Sequence, residues 1–277
     1  MNNCKLTILS FLILSLTTFV NHSFNVSYHG NDAEISYETS WGKERFIKED
    51  YIKYFPYYTK YIETINILNA YTINIKSLPQ PYCQLEQLFC FQNWGMYFNS
   101  EYIKKIFEHN NIVNAIEIGS FYGLSTRHIA SLLPEHGKLY AIDTWEYHKG
   151  MYEQFLSNII LTGLTSKVIP IKKRSDQAIN DVLAYTPSFD LIFVDGDHET
   201  EAVLNDLEFY YPLLSKHGVI CGDDWLLSSV RAAVVQFAQQ NQLTIYGACN
   251  FWFLRDEGTY QQKTFIDADE SIWIFNK

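Results

Sequence analysis

The stretch Phe189-Asp190-Leu191-Ile192-Phe193-Val194-Asp195-Gly196-Asp197-His198 decides the fold. Its apolar run, Leu191 to Val194, is short and rich in branched and aromatic side chains, and predicts a buried strand. The run stops abruptly in carboxylates. A second stretch repeats the pattern, with Val219-Ile220-Cys221 leading directly into Gly222-Asp223-Asp224-Trp225. In an open parallel α/β sheet, ligands bind outside the carboxyl ends of the strands. Two neighbouring strands ending this way would gather Asp195, Asp197, Asp223 and Asp224 in one small volume. That arrangement costs free energy unless a cation or a reaction uses it.

Working outward, short apolar runs alternate with helical patterns from about Asn111 onward, and this rhythm predicts a doubly wound, mostly parallel α/β sheet. The expected strands are Val113 to Ile118, Leu139 to Ile142, Val168 to Ile171, Leu191 to Val194 and Val219 to Cys221. Helices are expected at Ser125 to Leu133, Met151 to Leu161, Asp176 to Tyr185, Thr200 to Leu214 and Ser228 to Gln240. Late strands at Leu243 to Tyr246, Phe251 to Leu254 and Ile272 to Phe275 suggest an antiparallel hairpin closing the sheet edge.

Residues 24–110 have a different texture. Tyr51, Tyr54, Phe55, Tyr57, Tyr58 and Tyr61 form an aromatic run, and Ser100 suits the N-cap of a helix through Phe107. We read this part as a helical N-terminal lobe or lid on an α/β domain of residues 111–277. Ahead of it, a weakly positive start and the apolar stretch Leu6 to Val20 have the form of a secretory signal or a membrane anchor over residues 1–23. No A-x-A cleavage site follows, so an uncleaved anchor or a chance apolar N-terminus stands beside the signal reading, and residues 6–20 are the segment that would attach to a membrane. The sequons Asn21-His22-Ser23 and Asn25-Val26-Ser27 matter only for an exported chain.

The 277 residues, 47% of them hydrophobic and 16% aromatic, suffice for one large core and a smaller lobe. A net charge of -10 argues against a sequence-independent nucleic-acid binder, and Lys172-Lys173-Arg174 reads as a solvated basic cluster. None of the five cysteines has metal or redox spacing. Cys221 reads as a small buried hydrophobe, and Cys83 and Cys90 would pair only after export.

In the first half of the sheet, the first strand runs into Glu117-Ile118-Gly119-Ser120-Phe121-Tyr122-Gly123, with Ser125 and Thr126 placed to open a helix. A glycine at that turn admits a close ligand where a Cβ would collide. Asp143 ends the next strand, 24 residues beyond Gly119, where a carboxylate accepts hydrogen bonds from ribose hydroxyls. The pattern lacks G-x-G-x-x-G and a P-loop lysine, so it points to a nucleoside rather than a dinucleotide or triphosphate. Glu117 would repel a pyrophosphate and suit an ammonium or sulfonium group, and S-adenosylmethionine carries both with an adenosine.

These motifs, in this order, resemble a class I S-adenosylmethionine-dependent methyltransferase over roughly Ser100 to Leu254. They include Tyr140-Ala141-Ile142-Asp143-Thr144-Trp145, the Phe189 to His198 stretch, Asp206-Leu207, Pro212-Leu213-Leu214, Gly218 and Asp223-Asp224-Trp225. Within that superfamily the chain is similar to a bacterial subgroup containing metal-dependent sugar O-methyltransferases. The resemblance implies a Rossmann-like sheet, a small-molecule acceptor and specific residue roles. Glu117, Gly119, Ser120, Tyr122 and Gly123 match the loop around the methionine part of the cofactor, Asp143 the ribose acid, and Ser175 and Asp176 the adenine edge. Asp195, Asp223 and Asp224 match carboxylates that bind Mg²⁺, and Asp197 a general base. His198 departs from the sugar enzymes and competes for that role. The acceptor expected is a sugar or catechol with neighbouring hydroxyls. A non-catalytic or exported binding protein on the same fold is the alternative, and methyl transfer to nitrogen a third reading.

Overall fold

The computed structural model describes residues 25–29, 32–39, 42–47, 73–89, 91–92, 95–256 and 273–274. The chain divides into two compact units, residues 1–60 and 61–277.

In the first unit, β1 (Asn25–His29), β2 (Asp32–Thr39) and β3 (Gly42–Ile47) form a three-stranded antiparallel sheet in that order. Asn25 pairs with Ser36 and Glu34 with Ile47. This corrects the expectation of a helical lobe from residue 24 onward. In β2, Ala33, Ile35 and Tyr37 alternate with Glu34, Ser36 and Glu38, a period of two that no helix satisfies. Gly30-Asn31 between β1 and β2 is a hairpin-type dipeptide. The aromatic run Tyr51 to Tyr61 and the signal-like residues 1–23 lie outside the described residues.

Among the described residues of this region in the second unit, short 3-10 turns at Ile75–Ser77 and Tyr82–Gln84 precede the α-helix α1 (Ser100–His109), which buries Tyr102, Ile103 and Ile106. Its N-cap is Asn99 rather than Ser100. Beyond it the alternation is complete. β4 (Asn114–Ile118), α2 (Leu124–Leu132), β5 (Lys138–Asp143), α3 (Met151–Leu161) and β6 (Val168–Lys172) form one half. α4 (Ser175–Leu183), β7 (Phe189–Val194), α5 (Thr200–Tyr210), β8 (Leu214–Gly222) and α6 (Ser228–Asn241) form the other. β9 (Thr244–Ala248), β10 (Phe251–Arg255) and β11 (Trp273–Ile274) complete the sheet. Helix α5 stops four residues before the expected Leu214, because Pro212 has no N–H to continue the ladder and the chain tightens into a 3-10 turn over Tyr211–Leu213.

The eight strands run in the order β11-β9-β10-β8-β7-β4-β5-β6. β4 to β8 are parallel, while β10 lies antiparallel between β8 and β9. The closing hairpin is therefore tucked inward, and β11 pairs outside it with β9. Strand order reverses between β4 and β7, the switch point where such sheets bind ligands. Register fixes what meets there. Ile142 aligns with Ile118, Ile118 with Val194, and Val194 with Gly222. The residues just beyond that row are Asp143, Gly119, Asp195 and Asp223, which the register carries to one level of the sheet.

One face of the sheet, through Ile116, Tyr140, Ile192 and Ile220, packs on Val182, Leu207, Tyr210, Val234 and Phe237. Each such fully buried aliphatic contributes about 1.5–3 kcal/mol, which pins the strand ends. Among the described residues no helix is long and apolar enough to cross a membrane.

Candidate functional site

Glu117 is the last inward residue but one of β4 and is fully buried. Its Oε2 accepts hydrogen bonds from Ser120 Oγ at 2.7 Å and from Thr126 Oγ1. Its Oε1 is buried without a hydrogen bond. Burial pushes the carboxyl up to about 7, against the pull of the Ser125, Thr126 and Ser120 hydroxyls. Thr126, expected to help open a helix, turns to Glu117 instead, and Gly123 (φ 81) caps α2.

Gly119 (φ 90) is required for a reason the sequence does not suggest. A Cβ there would lie 1.8 Å from the backbone oxygen of Asp195. The glycine admits the neighbouring strand end, so the close approach is made by the protein itself. Asp143 Oδ2 accepts the Phe121 N–H at 2.8 Å and its Oδ1 the Trp145 N–H at 2.7 Å. Trp145 Nε1 returns a bond to the Phe121 carbonyl at 2.7 Å. One carboxylate thus ties two turns together, and its remaining lone pairs face outward bonding partners such as hydroxyls. Burial raises its pKa, and the Trp145, Phe121 and Thr144 N–H groups oppose the rise.

Ser120 is buried and spends its hydroxyl on Glu117. The Tyr122 carbonyl accepts Asn158 Nδ2 at 2.8 Å, while its ring packs edge-on against Phe121. At the start of α4, Asp176 is exposed and paired with Arg174 at 3.1 Å. Tyr210 donates to the Ser175 carbonyl at 2.7 Å. The Ser175 hydroxyl bonds to Asp206, a carboxyl raised to about 6, chiefly by burial.

The second half of the site follows β7 and β8. The Asp195 N–H donates to Ile118 O at 2.8 Å, locking the strand ends together. Burial first, then the carboxylates of Asp223, Asp224 and Glu117, hold the Asp195 pKa well above the usual range. Asp223 is buried and raised to about 7 by burial and by Asp224. Its Oδ1 accepts the Asp224 N–H and Asn250 Nδ2, both at 2.7 Å, and its carbonyl accepts Trp252 Nε1 at 2.7 Å. Asp224 (φ 62) meets His198, with Oδ2 at 2.9 Å from Nε2. Burial pushes the Asp224 carboxyl up, but the hydrogen bond and charge of His198 together with the Asn250 hydrogen bond bring it below the usual value, and His198 is raised, first by its hydrogen bond to Asp224. Asp197 is exposed, and its Oδ1 accepts the Glu199 N–H at 3.0 Å, turning the loop into α5.

Every expected residue except Ser175 and Asp176 therefore sits at, or directly supports, the strand ends beside the switch point. The convergent trio is Asp195, His198 and Asp224, whose ligand atoms lie within 4.8 Å of one another. Asp223, expected as an equal partner, is instead engaged in building the turn.

Two residues escaped the sequence reading. Asn250, in the β9–β10 turn, donates to Asp223 and to Asp224 Oδ1 (3.1 Å), accepts the Leu226 N–H on its side chain (2.9 Å) and the Trp225 N–H on its carbonyl (2.9 Å). Asn158 of α3 exchanges two hydrogen bonds with the Gln92 backbone, at 3.0 and 2.9 Å, while holding Tyr122. Neither carries a local motif. Each matters only through chain segments that tertiary packing brings to it.

Residues 116–225 match a family model described as a methyltransferase domain. An uncharacterised protein of Acanthamoeba polyphaga mimivirus is 34% identical over 131 residues, covering 45% of this chain and 57% of the relative. A caffeoyl-CoA O-methyltransferase of Zinnia elegans is 30% identical over 156 residues, covering 53% and 60%. The chain thus spans little more than half the length of these curated relatives. In fold it is similar to the O-methyltransferase TomG of Streptomyces achromogenes, involved in tomaymycin synthesis and solved with S-adenosylmethionine (TM-score 0.52, 14% identity, 76% of this chain and 98% of that one). The glycine turn at Gly119, Asp143 at the end of β5 and the acidic ends of β7 and β8 all lie within the residues that are similar to this methyltransferase domain.

Proposed function

We propose that this protein methylates a hydroxyl of a small molecule from S-adenosylmethionine, with a divalent cation at the β7 and β8 ends. The observation that carries this reading is the register that brings Asp143, Gly119, Asp195 and Asp223 to one level across the switch point. The cofactor fits the first half. Glu117 presents a buried oxygen without a hydrogen bond, which a cationic group would satisfy, and Asp143 retains lone pairs for two hydroxyls.

The second half fits a hard divalent cation such as Mg²⁺, held by Asp195 and Asp224 with Asp223 behind them. Bound there, such an ion would lower the pKa of an acceptor hydroxyl. The chain's own residues do the rest. Gly119 and the Asp195 backbone keep the two halves adjacent. Asp197, exposed at the rim, takes the hydroxyl proton as the oxygen–methyl bond forms and the methyl–sulfur bond breaks, with that electron pair returning to sulfur. His198 suits this role less, because its Nε2 is already engaged with Asp224 Oδ2 at 2.9 Å.

An acceptor with two neighbouring hydroxyls, a sugar or a catechol, would use both the cation and the base. The relatives named caffeoyl-CoA O-methyltransferase support oxygen over nitrogen as the methylated atom. Calorimetric titration of S-adenosylmethionine into wild type and Asp143→Ala tests the cofactor reading, followed by product identification with catechol and sugar acceptors, with and without chelator. Binding lost in the variant and methyl ethers formed only with metal support the proposal. Absence of cofactor binding would mean that the fold serves as a binding module.

A further inference from the structure

We propose that His198 is a metal ligand alongside Asp195 and Asp224, and that this nitrogen makes the site select a first-row transition ion over magnesium. The inference rests on the cation reading above and specifies the ion. The three side chains come from two loops, and their ligand atoms fall within 4.8 Å of one another. The closest pair, His198 Nε2 and Asp224 Oδ2, is 2.9 Å apart. Two ligands bonded at right angles to one ion at about 2.1 Å lie roughly 3 Å apart, so the two atoms, hydrogen-bonded to each other here, already stand at the separation that neighbouring ligands need.

An ordinary ion pair accounts for less of the arrangement. Exposed pairs contribute little stability, and the His198 side chain is 49% exposed. Among the described residues no lysine or arginine pairs with Asp195, Asp223 or Asp224, so one imidazole faces three carboxylates. The cluster gathers three carboxyl groups at the end of two strands, an arrangement that a bound cation would stabilise.

The surroundings hold the donors in place. Asn250 fixes the Asp224 carboxylate through Oδ1, leaving Oδ2 for His198. The Asp197 turn onto Glu199 sets the loop from which His198 projects toward Asp224. Asp223 Oδ1 is occupied by the Asp224 N–H and Asn250, so the turn is built while Asp224 Oδ2 stays with His198.

The donor set decides the ion. Magnesium takes oxygen ligands and keeps its waters, whereas imidazole suits zinc, iron, cobalt and nickel, whose affinities rise along the first row. Two carboxylates and one imidazole therefore favour Co²⁺, Fe²⁺ or Zn²⁺.

The test uses the full chain, stripped with chelator, titrated separately with Co²⁺ and Mg²⁺ as the metals alone. Cobalt is followed by its visible absorption, magnesium by competition, and S-adenosylmethionine binding in each sample reports an intact fold. Wild type is expected to bind Co²⁺ at least roughly tenfold more tightly than Mg²⁺, and His198→Ala to lose about tenfold for Co²⁺ with little change for Mg²⁺. In wild type, the His198 ring resonances should show paramagnetic shifts on Co²⁺ addition. Equal effects of His198→Ala on both ions, or unshifted His198 resonances in a Co²⁺-loaded protein, overturn this inference alone. No binding of either ion by wild type overturns the cation reading with it.

Discussion

The two halves of the site use buried carboxylates in opposite ways. After β4 and β5, Glu117 and Asp143 are surrounded by donors from their own turns: Ser120, Thr126, the Phe121 N–H and the Trp145 N–H. After β7 and β8, Asp195, Asp223 and Asp224 face one another, and the groups that offset them include the His198 imidazole, the amide of Asn250 and the Asp224 N–H. The first half spends its carboxylates on the turns around it, and the second brings carboxyl groups together. Carboxylates that satisfy the backbone rigidify loops, and carboxylates that repel one another store affinity for a cation.

The largest way to break this comparison is to separate the halves. Gly119→Ala places a Cβ 1.8 Å from the Asp195 carbonyl at a φ of 90. We expect a stability loss of about 3 kcal/mol or more in urea denaturation, with cofactor and metal binding lost together.

The next tests the buried charge of the first half. The Glu117 carboxyl is raised from 4.5 to about 7 on folding, so the native state holds its proton more tightly than the unfolded chain. The stabilising contribution is fully present below about 4.5 and is lost as pH rises through about 7. Glu117→Gln should flatten the fall in stability of the cofactor-free protein across that window by at most roughly 3 kcal/mol. Urea midpoints measured against pH read this directly, and an unchanged slope would show that Glu117 gains no proton on folding.

Asp143→Ala removes the carboxylate that joins the Phe121 and Trp145 turns. Cofactor affinity should fall on the order of 100-fold while Co²⁺ affinity holds, seen by calorimetry. The smallest effect sharpens the opposite side. Asn250→Ala should weaken metal binding about tenfold and leave S-adenosylmethionine affinity unchanged. A loss of both would show that the halves are one unit.

Much of the second unit was legible because its period is local. The helix Met151–Leu161 and the strand ends at Ile118, Asp143 and Val194 follow from apolar spacing and from where carboxylates interrupt it. In the first unit the alternation in β2 spans a single strand, too short a period-two signal to specify a sheet by itself. Within the site, Asp195, Asp224 and Asp143 could be chosen from sequence since each ends a strand. The division of labour between Asp223 and His198 could not, since it depends on which oxygen a distant amide occupies.

By itself the sequence determined the βα alternation, the glycine turn and the carboxylates at the strand ends, because those features rest on periodicities and turn chemistry that neighbouring residues decide. Only the tertiary structure decided that Gly119 yields to Asp195 rather than to a ligand, that Asn250 clamps the acidic turn, and that His198 closes on Asp224. Those contacts arise from the register of β4, β7 and β8 and from a hairpin folded inward beside them, and such long-range alignment is set by packing and strand pairing, which no local stretch of sequence encodes.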